Sequence, residues 1–512
     1  MKKNRGIVAA GHQETARSAC EMLRAGGNAF DASLAAMLTA CVVEPVLASP
    51  GGSGFLTARP VDSPPLVYDF FAHTPKRKRP DHAVDFRPIV ADFGTASQIF
   101  HIGMGSIATP GFIRGLFAIH QDLGRLPLDM LMAPALQLAK EGVEINPFQS
   151  FIAGIVAPIL RDTPAASALH ASPSDPARLI SQGERHRMPQ LADMLDALQH
   201  EGEALFYRGE VGARLVRDCD TGGGHLQMAD LNDYRVIKRH PLRQRYGDAS
   251  LFTNPLPSLG GTLIAFSLGL LASQHLASHA WGSETHLRRL ARVMGITQQL
   301  RQEQGLEMDQ VLSPAIGAHY RALLARGGIS TRGTTQISVA DREGNLASMT
   351  LSNGEGAGYV IPDTGIMMNN MLGEEDLNPG GFHLWPTDQR LASMMAPTIL
   401  LRDEGSAMVT GSGGSNRIRS AILQVISNLI DFEMSLEQAV SQSRIHLEST
   451  LLSLEAGIDP EVAQAISDEF AEQQLWPEKN LFFGGAHSVM RTRNGELLGV
   501  GDERRGGVAM GI

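Results

Sequence analysis

A threonine that begins a predicted strand, and the glycine before it, have the types and spacing for amide chemistry. Gly333 and Thr334 precede the alternating segment 335–340, in which Ile337 and Val339 share one face. If the Thr334 hydroxyl attacks the Gly333 carbonyl, an ester forms that water opens, and the chain is cut between the two residues. The cut frees the Thr334 α-amine, whose ordinary pKa of about 7.7–8.0 suits a base at neutral pH. One residue then supplies nucleophile and base. A plain strand start is the alternative.

A glycine-rich stretch at 409–417 could act on the carbonyl of a substrate. Gly411, Gly413 and Gly414 allow backbone N–H groups to face a cleft, and the N-terminus of the following predicted helix adds positive potential. Such a loop can hold an oxyanion or a phosphate. However, Asn416 stands where a dinucleotide-binding loop has its third glycine, and the Gly-Lys-Ser/Thr ending of a phosphate loop is missing. A tight structural turn is the alternative.

Two further segments carry polar side chains that could assist. The strand predicted to return beside Thr334 has hydroxyls at Thr350 and Ser352, and either could orient the nucleophile in a hairpin. The turn at 369–376 is dense in carboxylates and is interpreted either as a solvated loop or as part of a site. The 17 His residues form no His-Glu-x-x-His pattern, and no Gly-x-Ser-x-Gly segment occurs. Zinc hydrolysis and a Ser-His-Asp triad are therefore unsupported.

The hydrophobic pattern predicts the elements that must position these residues. Residues 31–43 are apolar on nearly every helical face, which predicts a helix buried under a sheet. Further helices are predicted at 16–23, 111–122, 128–141, 188–200, 262–271, onward to about 326, and at 418–429, with a capping box of Ser435 and Gln438 starting another. Strands are predicted at 55–58, 246–252, 335–340, 346–351, 398–401, 407–410, 488–492 and 496–500. Antiparallel sheets with helices packed outside, an α+β class without a separating linker, fit this order.

Composition excludes several classes of protein. The 512 residues include 54 Gly, with 43% hydrophobic and 19% charged residues, which excludes a disordered chain, a collagen-like repeat and a coiled coil. The net charge is −10 and the 44 basic residues are scattered apart from Lys76–Arg79, which predicts no nucleic-acid partner. Three Cys form no disulfide framework. No signal-like or membrane-spanning apolar stretch is found, so we expect a cytoplasmic protein without a membrane partner.

In order and spacing, these motifs resemble the γ-glutamyltransferase (γ-glutamyltranspeptidase) family of N-terminal-nucleophile hydrolases. The matching segments are Gly26–Ala32, Gly51–Phe55, Thr109–Gly111, Pro255–Gly261, Gly333–Thr335, Asp341–Asn345, Gly365–Asn370, Met395–Thr398, Arg444–His446 and Gly501–Arg504. The resemblance implies a four-layer αββα sandwich. It also implies self-cleavage into a helix-rich large subunit, 1–333, and a strand-rich small subunit, 334–512, in one intertwined domain. No metal or organic cofactor is implied, and a homo-oligomer is left open.

The resemblance also implies roles for individual residues. Thr334 is the nucleophile and Gly333–Thr334 the cleavage site. The family's second hydroxyl falls on Ser352 without a gap or on Thr350 with one, and its nearby asparagine falls on Asn353 only with a gap. The paired-glycine oxyanion hole falls within Gly413, Gly414 and Ser415, and ungapped counting favours the last two amides.

The substrate-binding positions depart from the family. The arginine that pairs the substrate α-carboxylate is replaced by Phe71, and the expected Ser-Ser pair by Ala392 and Ser393. Glu374 stands for the aspartate that holds the α-amine, and Met371 for a Gln or Glu. Loss of a bidentate carboxylate clamp is a large change. Three other cations could replace it: Arg59, Arg390 and Arg417. The lid segment after Asp376 is also short.

The sequence therefore predicts an autoprocessed N-terminal-threonine amidohydrolase or acyltransferase of this family. The leading substrate is a γ-glutamyl amide such as glutathione, with water or an amine resolving the acyl-enzyme. One alternative is hydrolysis of a small carboxylated amide such as oxamate. A second alternative is a non-catalytic binding protein that keeps the fold.

Overall fold

Two antiparallel sheets form the centre of the molecule. The computed structural model describes residues 5–92, 97–302, 333–378 and 381–512. The seven-stranded sheet has the order Val508–Gly511, Gly6–Ala10, Thr335–Asp341, Leu346–Ser352, Ser53–Arg59, Leu66–Phe70, Ile237–Arg239. The six-stranded sheet has the order Leu497–Val500, Ser488–Arg491, Ala407–Thr410, Thr398–Arg402, Ala249–Thr253, Leu242–Tyr246.

The sheets pack face to face and carry helices on their outer faces. Ile7, Ala340, Ile399, Val409 and Val489 belong to the apolar cluster between the sheets. The larger sheet packs with helices Gln13–Arg24, Ala29–Val43, Phe112–Leu123, Leu128–Glu141 and Pro189–Glu201. The smaller sheet packs with helices Leu259–Leu271, Glu284–Gln302, Arg417–Ile430 and Leu436–Ser441. The result is the four-layer αββα sandwich of an α+β protein.

Shorter elements surround these layers. The helices are Pro147–Ile155, Ala157–Leu160, Pro164–Leu169, Ala204–Tyr207, Glu210–Gly222, Met228–Asp233 and Pro460–Ser467. The strands are Arg87–Asp92, Ser97–Ile102, Val143–Glu144, Arg185–His186, Val360–Ile361, Ile366–Met367, Ile445–Glu448, Leu451–Leu454 and Glu472–Leu475. None of the helices in the described ranges is both long enough and apolar enough to cross a membrane.

The helix Ala29–Val43 shows how the sequence builds this layer. The Asn28 side chain accepts from the Phe30 and Asp31 amides, and the Asp31 carboxylate accepts from the Asn28 amide, which closes a capping box. All 15 helical residues are buried, as the uniformly apolar pattern predicts. The helix ends at Glu44, before Pro45.

Each of the two sheets contains strands from before position 333 and strands from after it. Strand Gly6–Ala10 lies between Thr335–Asp341 and Val508–Gly511, hydrogen-bonded to each. In the other sheet, Ala249–Thr253 pairs with Thr398–Arg402. A cut at Gly333 would therefore leave the two parts joined by strand pairing and a common core.

The structure confirms most of the predicted elements and corrects one. The single strand predicted at 246–252 is wrong, because Leu242–Tyr246 and Ala249–Thr253 form a hairpin. Its turn uses Gly247 at φ +53°, a conformation that glycine adopts without steric cost. The helices predicted between 303 and 326, and the segment 327–332, lie outside the described residues.

Candidate active site

The register of two central strands brings Thr334 beside Ser352. Thr335 pairs with Leu351 and Gln336 with Thr350 in the antiparallel ladder. One step further along this register, Thr334 faces Ser352. Both side chains are nearly buried, and both line the same cleft. The ladder therefore positions the two hydroxyls through backbone hydrogen bonds.

Two hydroxyls converge on the carbonyl between Gly333 and Thr334. The Thr334 Oγ1 donates to the Gly333 carbonyl oxygen at 2.7 Å. The Ser352 Oγ donates to the same oxygen at 2.9 Å, and it accepts from the Gly354 amide at 3.0 Å. Hydrogen bonds from two donors polarise a carbonyl and stabilise negative charge on its oxygen. This peptide carbonyl is thus held next to the Thr334 hydroxyl, with a second donor already in place.

The amide on the other side of Gly333 is held by a carboxylate that the sequence motifs did not single out. The Gly333 N–H donates to Glu355 Oε1 at 2.6 Å. The Glu355 amide in turn donates to Asn370 Oδ1 at 2.9 Å, and Glu355 is buried. A buried carboxylate that accepts from a backbone N–H is a strong, directional contact. Gly333 is consequently fixed through both its N–H and its C=O.

The glycine-rich loop lies against the backbone of Thr334. A Cβ on Gly413 would collide with the Thr334 carbonyl oxygen, so glycine is needed for this approach. Gly414 has φ +117° and Ser415 φ +54°, and the backbone then enters the helix Arg417–Ile430. This loop, together with the positive helix N-terminus, can present amides to an oxyanion next to Thr334.

A buried polar chain tethers this loop from behind. Asn416, directly after Ser415, donates to Glu448. Glu448 also pairs with His446 Nε2 at 2.9 Å, and His446 Nδ1 contacts the Ser420 hydroxyl at 2.8 Å. Burial lowers the pKa of His446 despite the opposing effect of Glu448. These contacts link the loop to the strand Ile445–Glu448.

Arg505 contacts the backbone of Thr334 beside the glycine-rich loop. Its Nη1 donates to the Thr334 carbonyl oxygen at 3.3 Å. Burial lowers the pKa of Arg505 to about 10, which still leaves the guanidinium charged at neutral pH. A fixed positive charge close to a nucleophile favours the development of negative charge there.

Thr334 and Ser352 open onto a small cleft. Its lining contains hydroxyls, one carboxylate and several apolar side chains. Its lining residues are Phe71, Gly333, Thr334, Ser352, Glu374, Leu377, Ser393, Met394, Met395, Ser415 and Ile418. The structure therefore brings seven of the predicted site residues, drawn from distant parts of the chain, to one cleft.

Five predicted site residues do not line the cleft. The Thr350 hydroxyl donates to Gln336 Oε1 at 2.6 Å, because residues 350 and 336 face each other across the ladder. Asn353 donates to the Met367 carbonyl at 3.4 Å. Met371 is fully buried, and Gly413 contacts the Thr334 backbone but, like Gly414, does not line the cleft. The structure therefore places Ser352, and not Thr350, next to Thr334.

The cleft carries Phe71 at the position where the family resemblance predicts the arginine that pairs the substrate carboxylate. The Phe71 ring stacks on Phe55, with ring centroids 5.1 Å apart. Glu374 and Ser393 are buried on the same cleft, and the Ser393 Oγ accepts from the Met395 amide at 3.1 Å. The turn at 369–374 is thus buried rather than a solvated loop, whereas Glu375 is exposed.

The three arginines suggested as replacement clamps are held elsewhere. Arg390 pairs with the buried Asp69 at 3.3 Å and donates to the Phe71 carbonyl. Arg59 donates to the Gly344 carbonyl at 2.9 Å. Arg417 donates to the Phe482 carbonyl at 3.2 Å and lies over the Phe482 ring. No cationic side chain lines the cleft in the part of the chain that the structure describes.

No group suited to a metal ion occurs near this cleft or elsewhere among residues 5–92, 97–302, 333–378 and 381–512. A metal site would need three or more clustered His, Cys, Asp or Glu side chains, and the described residues contain no such group.

Comparison with known proteins agrees with this arrangement. The family model described as gamma-glutamyltranspeptidase matches residues 15–512. The chain is 28% identical to the Acylase ACY 1 proenzyme of Pseudomonas sp. (strain V22), covering 99% of this chain and 94% of that protein. It is 25% identical to the glutathione hydrolase proenzyme of Escherichia coli (strain K12), covering 98% and 91%.

A solved structure shares the fold almost from end to end. The cephalosporin acylase from Bacillus halodurans superimposes with a TM-score of 0.85 at 20% identity, covering 99% of this chain and 96% of that one. This confirms the αββα sandwich expected of an N-terminal-nucleophile hydrolase. With a family match over nearly the whole chain, the protein is an enzyme of the γ-glutamyltranspeptidase family.

Proposed function

We propose that the chain cuts itself between Gly333 and Thr334 and then hydrolyses amides with Thr334 as nucleophile. The observation that carries the proposal is the Gly333 carbonyl oxygen, which accepts from Thr334 Oγ1 at 2.7 Å and from Ser352 Oγ at 2.9 Å beside an open cleft. Thr334 Oγ1 adds to this carbonyl carbon, its proton passes to the Thr334 nitrogen, and the C–N bond breaks, which leaves an ester and a free Thr334 α-amine. Water then hydrolyses the ester, which releases the Gly333 carboxylate and restores the Thr334 hydroxyl.

The freed residue then acts on external amides. Thr334 Oγ1 adds to the substrate carbonyl carbon while its proton passes to the Thr334 α-amine. Amides of the loop Gly413–Ser415 stabilise the oxyanion. The substrate C–N bond breaks, the leaving amine takes the proton, and an acyl ester remains on Thr334. Water, or a second amine, adds to this ester and releases the acyl group.

The cleft favours acyl groups that carry no carboxylate opposite Phe71. A bidentate arginine is the usual partner of a buried carboxylate. Arg390, one of the three arginines suggested as a replacement, is already paired with Asp69. A desolvated carboxylate against a phenyl ring would lack a partner, at a cost of several kcal/mol. The same argument weighs against glutathione and against oxamate. One curated relative is itself called an acylase.

Hydrolysis of γ-glutamyl amides remains the second candidate. Glu374 lies in the cleft at the position that the family uses for the α-amine, and Ser393 lies beside it. Both groups suit the amine end of a γ-glutamyl substrate. The two candidates thus differ in whether a carboxylate on the substrate acyl group raises or lowers the rate of hydrolysis.

Two p-nitroanilides that differ only in that carboxylate separate the candidates. The cleaved enzyme should hydrolyse 4-aminobutyryl p-nitroanilide with a kcat/KM at least equal to that for the γ-glutamyl compound. A tenfold preference for γ-glutamyl, about 1.4 kcal/mol, would select the second candidate. If Thr334→Ala and the wild type are equally inactive on both anilides and on oxamate, the chain is a binding protein that keeps the fold.

A further inference from the structure

Arg505 packs against the backbone of Thr334 without lining the cleft. Its Nη1 donates to the Thr334 carbonyl oxygen at 3.3 Å, and its Nη2 donates to the Leu481 carbonyl oxygen at 3.3 Å. Added Cβ atoms on Gly413 and Gly414 would lie 3.0 and 3.1 Å from these two nitrogens. The buried guanidinium is therefore held against both Thr334 and the glycine-rich loop.

Three carboxylates approach Thr334 or its neighbours in the chain, each from a different segment: Glu44, Glu355 and Glu374. The first accepts from the Thr335 hydroxyl at 2.8 Å, the second accepts from the Gly333 amide at 2.6 Å, and the third lines the cleft. Burial raises the pKa of Glu44 to about 7, so this carboxylate is only partly ionised at neutral pH. Glu355 also interacts electrostatically with Arg505. Ionised carboxylates favour the protonated form of a nearby amine.

Arg505 keeps its positive charge in these surroundings. Burial lowers its pKa only to about 10, and Asp502 interacts with it electrostatically. Asp502 also accepts from two other guanidinium groups, those of Arg444 and Arg504. On the helix that follows the glycine-rich loop, Arg417 contacts Phe482. Arg505 is thus a charged guanidinium, with a carboxylate that it shares, in direct contact with Thr334.

We propose that Arg505 keeps the freed Thr334 α-amine unprotonated at neutral pH, so that this amine can take the proton of the Thr334 hydroxyl. The assignment rests on the proposed function, in which the amine is the base. The three bonds that join the carbonyl oxygen and the nitrogen of one residue have a total length of about 4.2 Å, which places Nη1 within about 7.5 Å of the amine. A positive charge this close disfavours an ammonium and should lower its pKa by about 1.

The test measures the pKa of the Thr334 α-amine in the cleaved protein. Acetic anhydride acylates only unprotonated amines, and mass spectrometry of the N-terminal peptide of fragment 334–512 gives the labelled fraction at each pH. We expect a wild-type midpoint below about 7, against the ordinary 7.7–8.0. Arg505→Met should raise the midpoint by about 1, whereas Arg505→Lys keeps the charge and should stay within about 0.3 of wild type. Arg125→Met removes an exposed arginine that pairs with Glu343 and, as the matched control, should keep the wild-type midpoint.

Each result decides the assignment. In every variant the acid limb of kcat/KM for an anilide should follow the labelling midpoint, which a purely structural role of Arg505 would not produce. A wild-type midpoint of about 7.7 or higher, or an Arg505→Met midpoint equal to wild type, overturns the assignment and leaves Thr334 catalysis standing. If Arg505→Met yields no cleaved protein, Arg505→Gln takes its place, and if neither does, the wild-type midpoint decides. A chain that stays uncut, or hydrolysis by Thr334→Ala at the wild-type rate, overturns the proposed function instead.

Discussion

The side of the cleft proposed to carry out the reaction (the reaction side) and the side proposed to bind the substrate (the binding side) are built differently. On the reaction side, Thr334 and Ser352 are placed by a strand ladder, and Gly413 approaches Thr334 through backbone. On the binding side, Phe71 and Glu374 reach the cleft as side chains from separate segments. A strand ladder fixes positions by main-chain hydrogen bonds, which most substitutions preserve. A surface made of side chains changes its shape and polarity whenever one of its residues is substituted.

This difference explains why one side fits the family and the other departs from it. The Thr334 hydroxyl, its neighbour Ser352 and the glycine loop need only the sheet register and a few glycines. The carboxylate clamp of the family needs one arginine. Phe71 stands at that position in this chain, and the fold does not depend on the arginine. Changes on the binding side should therefore alter substrate choice, and changes on the reaction side should remove the reaction itself.

The largest effect is expected from Thr334→Ala. The variant lacks the oxygen that forms both esters, so the intact chain should persist and turnover should fall by about 10⁴-fold or more. Intact-mass spectrometry and an anilide assay measure the two effects. Thr334→Ser keeps a hydroxyl and should still cleave. If Thr335→Ala blocks cleavage and Thr334→Ala does not, the nucleophile is the next residue.

Gly413→Ala should rank next. The Cβ of the new alanine cannot fit beside the Thr334 carbonyl oxygen, so the loop must shift. Its amides would then no longer point at the oxyanion. We expect kcat on the cleaved protein to fall about 10²-fold. Ser415→Ala is the control, since it keeps the backbone amide and should change kcat by less than about threefold. A kcat for Gly413→Ala equal to wild type would remove this loop from the reaction side.

Ser352→Ala should slow self-cleavage by about tenfold to 10²-fold, because one of two donors to the Gly333 carbonyl oxygen is lost. The half-life of the intact chain measures this. Thr350→Ala is the matched control on the same strand. It leaves Gln336 without its 2.6 Å partner, so it should lower the free energy of unfolding by about 1–3 kcal/mol with little change in half-life. The reverse pattern would exchange their roles.

Ser393→Ala should have the smallest effect. Its hydroxyl lines the cleft away from the reacting carbonyl and accepts from the Met395 amide. Loss of ground-state binding of this kind raises KM and leaves kcat unchanged, so we expect KM to rise about two- to fivefold. A fall in kcat at constant KM would place Ser393 on the reaction side.

Much of the fold follows from the sequence because helix and hairpin patterns are local. The apolar run at 31–43 and the alternation at 335–340 each predict one element from contiguous residues, and the structure contains both. The strand predicted at 246–252 is wrong because it includes Gly247-Asp248, which form the turn of the hairpin at 242–253. Asp-Gly and Gly-Asp pairs between β-rich runs are turn signals that could have found it.

The candidate site was predictable only in part. Thr350 and Ser352 lie two residues apart on one strand face, so the strand pattern alone does not choose between them, and the register does. Arg390 does not serve as a substrate clamp because it pairs with Asp69. An acidic residue in a buried strand is a sign that a cation lies next to it. That signal is visible in Tyr68–Phe71. Glu355 binds Gly333 across a turn of the chain, and only the folded geometry shows this contact.

Time-resolved intact-mass spectrometry of the purified wild-type chain tests the central claim most directly. The account predicts that the full chain is replaced by two fragments, residues 1–333 and 334–512, with Thr334 as the new N-terminus. The two fragments should copurify, since both sheets contain strands from each. A chain that stays intact under conditions where the protein hydrolyses an anilide, or a cut at another peptide bond, would contradict the account.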